Sequence, residues 1–200
     1  MKQKILKFQN EYQCNGGAAM NYHNILHDDM RNGSGLRVVL FVSGCSNKCN
    51  GCQNPQTWDE KSGIEFDDDA KEEIMNELKH DYIDGITFSG GDPLYDNNVE
   101  SVLSLCKKIK SDFPNKTIWL YTGYKFESIL FPLVTDDLNM DRANLINNRR
   151  NIMNYVDILV DGKYDDELSD VNYHWAGSTN QRVIDVQKSL KNKTVILRGR

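Results

Sequence analysis

The chain has 200 residues, a net charge of −5, and 39% hydrophobic against 26% charged residues. That is the balance of one ordinary globular domain with enough length for a substantial core. The acidic balance argues against a phosphate-tracking nucleic-acid binder. No apolar run approaches the roughly 18 residues of a membrane span, and residues 1–10 lack the apolar stretch of an export signal.

The expected compartment is therefore the cytoplasm. There, five cysteines serve as ligands, catalytic groups or core residues rather than disulfide partners.

Residues 1–19 read as a flexible N-terminal arm. Gln3, Gln9, Asn10, Gln13, Asn15, Gly16 and Gly17 make them polar and glycine-rich, and Cys14 reads as a free thiol there. The remaining residues, 20–200, read as a single domain. Arg37–Val42 is a short apolar, β-branched run, suited to a buried strand. It leads into Cys45-Ser-Asn-Lys-Cys49-Asn-Gly-Cys52. Asp67-Asp68-Asp69 precedes Ala70, Ile74 and Leu78 at helical spacing, which predicts a helix opened by an Asp cap and acids in its first turn.

Gly85–Phe88 predicts a second strand, followed by the loop Ser89-Gly90-Gly91-Asp92-Pro93. From Asn97 to Lys110, Val99, Val102, Leu103, Cys106 and Ile109 share one helical face, which makes Cys106 a buried, inert thiol. Thr117–Tyr121 predicts a third strand and Tyr124–Leu130 a short helix. Residues 131–150 are polar and rich in Asn, Asp and Arg, and read as an insertion or lid. Tyr155–Val160 predicts a fourth strand and Thr194–Leu197 a terminal one.

Strands alternating with helices predict an α/β fold with a parallel sheet. The continuous apolar runs fit strands buried on both faces. Sites in such folds gather at the carboxyl ends of the strands. The cysteine loop, the Gly-Gly-Asp-Pro loop and the Thr122-Gly123 turn should therefore meet at one edge.

The C-x3-C-x2-C spacing carries the chemistry. Thiolates bind soft metals and iron–sulfur clusters. Three on one loop can hold three corners of a cubane, leaving its fourth iron without a protein ligand. Zinc would need a fourth ligand from His23, His27, His80 or His174, none of which lies at zinc-finger spacing from the trio.

Two glycines let the backbone at Gly90 and Gly91 approach a ligand closely. Asn32-Gly-Ser-Gly35 lacks the Lys-Ser/Thr ending of a phosphate loop and reads as a turn. Trp58 and Trp119 read as core or interface aromatics, and His23 and His27 as surface or packing residues. Asp161 is open between a turn role and a place facing the site.

The cysteine motif after a strand resembles the radical S-adenosylmethionine superfamily. Further motifs narrow the likeness: Asn21-Tyr-His-Asn24, Asn32-Gly-Ser-Gly35, Leu40-Phe-Val-Ser-Gly-Cys45, Cys49-Asn-Gly-Cys52, Asn54, Thr57-Trp58, Ser89–Leu94, Trp119, Thr122-Gly-Tyr124, Leu159-Val-Asp-Gly-Lys163 and Gly177-Ser-Thr-Asn-Gln181. Together, from Met20 onward, they resemble the activating proteins of the anaerobic ribonucleoside-triphosphate reductase.

The resemblance implies a partial (incomplete) parallel β/α barrel. It implies a [4Fe-4S] cluster on Cys45, Cys49 and Cys52, with S-adenosylmethionine bound against Gly51, Cys52, Gln53, Gly90, Gly91 and Asp92. It further implies reductive cleavage of that cofactor, with the electron coming from a flavodoxin- or ferredoxin-type donor. The product would be a glycyl radical on the large catalytic subunit of the anaerobic reductase. An activating enzyme for another glycyl-radical enzyme, such as pyruvate formate-lyase, and a zinc-binding module remain as alternatives. Gln53 departs from the family, which often has an aromatic residue there.

Overall fold

The computed structural model describes residues 20–133 and 139–199; the N-terminal arm lies outside them. One seven-stranded sheet organises the chain: β1 (Asn21–Asp29), β2 (Leu36–Val42), β3 (Ile64–Glu65), β4 (Ile83–Gly90), β5 (Thr117–Thr122), β6 (Ile158–Asp161) and β7 (Arg182–Asp185), in the order β3-β1-β2-β4-β5-β6-β7. The four central strands β2, β4, β5 and β6 run parallel.

The sheet is mixed rather than wholly parallel, because β1, β3 and β7 add antiparallel pairings at its two sides. The expected terminal strand at Thr194–Leu197 is replaced by β7. Leu197 makes only an isolated bridge to Ile184.

Among the described residues, five α-helices complete the fold: α1 (Asp68–Glu77), α2 (Val99–Asp112), α3 (Phe126–Leu130), α4 (Met140–Met153) and α5 (Val186–Asn192). The Asp67 carboxylate accepts from Ala70 N at 2.9 Å and so caps α1 as its sequence predicts, a contact worth about 1 kcal/mol.

Within the polar stretch 131–150, residues from Met140 onward form a helix. The Asn139 side chain caps it by accepting from Arg142 N at 2.8 Å. Its buried positions include Arg149 beside Ile146, Ile152 and Met153. Arg149 donates to Leu94 O at 2.8 Å, Asp96 Oδ1 at 2.6 Å and Tyr124 Oη at 2.9 Å. A buried cation where an apolar residue would be read hides the helical period. Residues 134–138 lie outside the described part.

Strand alternation divides the sheet into two faces. Val38, Leu40, Val42, Ile86, Phe88, Ile118, Leu120, Leu159 and Ile184 pack with apolar residues from all five helices into the main core. The opposite face carries Arg37, Phe41, Thr87, Ser89, Trp119 and Tyr121. Trp119, Ile158 and Val160 form a small second cluster there, with Trp175 packed on it.

Arg37 is fully buried on that face. It donates to Thr87 Oγ1 at 2.8 Å, Thr117 Oγ1 at 2.9 Å and Ile86 O at 2.6 Å, and its guanidinium lies 5.4 Å from the Trp119 ring. Burial lowers its pKa to about 10. Its five donors are matched to acceptors, which offsets much of the desolvation cost.

Candidate functional site

The second face opens into a cleft of about 1410 Å³. Because the central strands are parallel, their carboxyl ends share one edge. The segments after them line the same cleft: Cys45, Cys49 and Cys52 after β2, Gly90 to Asp92 after β4, Thr122-Gly123 after β5 and Gly162 to Tyr164 after β6.

The cysteine loop is pinned at both ends. Gly44 N donates to Thr57 O at 2.8 Å and Cys45 N to Trp58 O at 3.0 Å, so the loop closes on the turn Pro55–Thr57 that follows it. All three thiols are half-buried and unbridged. Burial raises the pKa of Cys45 and of Cys49. Opposing that rise are the Asn47 and Lys48 amides and the Asn47 side chain at Cys45, and the Tyr164 amide with the Lys163 charge at Cys49. These groups favour an anionic sulfur, which is the form that binds metal.

The glycine loop is bonded directly to the cysteine loop's entry. Gly91 N donates to Val42 O at 2.7 Å and Asp92 N to Gly44 O at 2.8 Å. A Cβ on Gly91 would stand 2.6 Å from Gly44 O. Gly90 has φ +96, and a Cβ there would meet the Phe41 backbone at 2.8 Å. Glycine is thus required twice, once for close approach and once for left-handed backbone.

Asp92 is buried at the junction and ties three loops together. Its Oδ1 accepts from Leu94 N at 2.9 Å and Thr122 Oγ1 at 2.8 Å. Its Oδ2 accepts from Gly123 N at 3.0 Å and Asn47 Nδ2 at 3.1 Å. Burial raises the carboxyl's pKa against the pull of these donors.

Of the residues expected to contact a cofactor, Cys52, Gln53, Gly90, Gly91 and Asp92 line the cleft. Gly51 turns the chain with φ +68 against Asp166, whose Oδ1 lies 2.3 Å from the position of a Cβ. Asp161 neither faces the cleft nor makes a turn. It is fully buried, accepts from Phe126 N at 2.8 Å and pairs with Arg182 Nε at 2.9 Å.

Asn32–Gly35 is the turn between β1 and β2, as expected. His23 bonds Ser62 at 2.9 Å. His27 bonds Glu73 at 2.8 Å. Both lie outside the cleft lining.

Sequence reasoning gave no role to Asn47, Lys163 or Gln181. Gln181 closes the last lining segment: Nε2 donates to Gly162 O at 2.9 Å, and Oε1 accepts from Gly177 N at 2.9 Å. The Gly177–Gln181 run was the available signal.

A soft, three-thiol donor set with amide donors around it suits an iron–sulfur cluster. The buried Trp58 Nε1 at the cleft wall has no hydrogen-bond partner, which leaves a donor for a second ligand beside the glycine loop. Among the described residues, no three His, Cys, Asp or Glu side chains are grouped as a single metal ion would require.

Residues 31–184 match the family model described as a 4Fe-4S single cluster domain. Curated relatives named anaerobic ribonucleoside-triphosphate reductase-activating protein align over most of the chain. The one from Enterobacteria phage T4 is 42% identical over 82% of this chain and 93% of its own. The Haemophilus influenzae protein is 40% identical over 81% and 96%, and that of Escherichia coli K12 39% over 82% and 97%. The chain belongs to the family of anaerobic ribonucleoside-triphosphate reductase-activating proteins. In this family member, the matched region spans the cysteine loop, the glycine loop and the β5 and β6 turns, and so nearly all of the cleft lining.

Proposed function

We propose that the chain generates a glycyl radical on an anaerobic (class III) ribonucleoside-triphosphate reductase. The reaction uses S-adenosylmethionine bound beside a [4Fe-4S] cluster on Cys45, Cys49 and Cys52. The observation that carries this reading is the bonded junction of the cysteine loop and the Gly90–Gly91 loop in one cleft. When bound, the cluster would supply the single electron, received from a flavodoxin- or ferredoxin-type donor, for reductive cleavage of S-adenosylmethionine.

The protein's own part is to bind, orient and exclude. Cys45, Cys49 and Cys52 would hold the cluster. Gly90 and Gly91 present backbone close to the methionine end of the cofactor, and Asp92 fixes that loop from beneath. Lys163, near Cys49, adds a positive charge suited to a carboxylate. Gln53 stands where an aromatic residue is common, so adenine stacking falls to another side chain of the wall.

Helices on one face and a cleft on the other, around four parallel strands, support an incomplete β/α barrel. Its open side admits the partner's glycine loop. Among the described residues no helix is long and apolar enough to cross a membrane.

The test is anaerobic reconstitution, reduction and addition of S-adenosylmethionine. About four irons and four sulfides per chain, 5′-deoxyadenosine, and a glycyl-radical electron paramagnetic resonance signal on the reductase are expected. An intact, reduced cluster that yields no 5′-deoxyadenosine sinks the reading. A radical formed on pyruvate formate-lyase and not on the reductase reassigns the partner, and one bound zinc in place of iron makes the chain a binding module.

A further inference from the structure

We propose that Asn47 is a positioning residue that sets the reduction potential of the group held by Cys45, through an Nδ2–H···Sγ contact aimed by Asp92. The assignment rests on the cluster reading above and goes beyond it.

Asn47 Nδ2 stands 3.7 Å from Cys45 Sγ and 3.1 Å from Asp92 Oδ2. The carboxylate accepts, so the amide must turn its NH2 towards Asp92, and the same NH2 then faces the sulfur. Asp92 itself cannot swing away. It is buried, and its other contacts come from Leu94, Thr122 and Gly123. Its main-chain oxygen accepts from Asn98 Nδ2 at 2.9 Å, and that amide also holds Ser43 O at 2.7 Å.

Room for Asn47 comes from Gly123, where a Cβ would stand 2.1 Å from Asn47 Nδ2. Thr122-Gly123 is thereby explained: the hydroxyl holds Asp92, and the missing side chain admits Asn47.

Hydrogen bonds to ligand sulfur raise the potential of iron–sulfur clusters, because they stabilise the more negative, reduced state. Removing this donor makes reduction harder. One electron enters from dithionite in the titration, and no bond is made or broken.

The experiment is a potentiometric titration, followed by electron paramagnetic resonance, of the reconstituted full-length chain. Wild type is compared with Asn47→Leu, Asn47→Ser and Thr122→Val, with iron counted in each. Both Asn47 variants should load iron as wild type does and titrate at a more negative potential. The reduced-to-oxidised ratio at the wild-type midpoint should fall roughly tenfold, ~59 mV for one electron. Thr122→Val removes one of the donors that hold Asp92 and so loosens the aim without removing the contact to sulfur; it should shift the potential the same way, by clearly less than either Asn47 variant.

An unchanged potential in the Asn47 variants overturns the assignment. So does an equal shift in Thr122→Val, or loss of iron from both Asn47 variants, which would make Asn47 an assembly residue. A wild-type chain that holds no cluster removes the cluster reading as well. A loaded wild type with unshifted variants removes the Asn47 assignment alone.

Discussion

The two faces of the central sheet are built from alternate residues of the same strands and behave as different materials. Towards the helices, Leu40, Phe88 and Leu120 are fully buried in a continuous apolar layer. Towards the cleft, Phe41, Ser89 and Tyr121 line a cavity beside charged and polar groups. The first face holds the fold together. The second uses the strand ends to bring distant loops into register. Period-two alternation lets a single run such as Leu36–Val42 serve both.

This division is open to direct attack. The largest effect is expected at the proposed cluster ligands: Cys45→Ser, Cys49→Ser or Cys52→Ser should abolish 5′-deoxyadenosine formation and deplete iron, with circular dichroism and the melting temperature nearly unchanged. Unfolding of these variants would break the separation of the faces.

Next comes Phe88→Ala on the helix face, expected to cost about 3–5 kcal/mol. Urea unfolding measures the loss, while the fraction that stays folded should still bind iron. Gly90→Ala sits where the faces meet, with φ +96 and the Phe41 backbone in the way. It should cost about 1–3 kcal/mol and also weaken S-adenosylmethionine binding, read by equilibrium dialysis.

The smallest effect concerns a half-exposed ion pair outside the cleft lining. Arg182 donates to both oxygens of Glu127 at 2.9 and 2.7 Å, which holds the Glu127 carboxyl at about 2. A depressed carboxyl stabilises the fold above its unfolded value near 4.3 and loses that contribution as pH falls through about 2. Glu127 is 52% exposed, so solvent screens the pair. Glu127→Gln should cost less than about 1 kcal/mol at pH 7 and flatten the acid limb of the stability curve between pH ~4.3 and ~2.

Much of the helix-covered face was legible because parallel strands are continuous apolar runs, as at Val38–Val42 and Ile118–Leu120. The α1 cap and the α2 stripe obeyed local rules. β1 escaped notice because Asn21, His23, Asn24 and His27 interrupt its apolar pattern at a sheet edge. Part of α4 was hidden by Arg149, whose partners on Leu94, Asp96 and Tyr124 are supplied only by the folded chain.

At the cleft, the cysteines and glycines were legible because their chemistry depends on local spacing. Asn47 was not. Its significance arises from Asp92 and Gly123, which lie far along the chain and become neighbours only when β2, β4 and β5 align.

The short outer strands have a further consequence. A sheet that exposes one face to a cleft risks exposing its borders to other sheets as well. Here β3 offers only two residues, and β1 is interrupted near its end, with a register shift between Leu26 and Asp29 and Asp28 at φ 54. On the other side, β7 has four residues and is partly capped by the Leu197 bridge. The molecule is therefore open face-on and shut edge-on. The outer strands leave little free ladder along which another sheet could add.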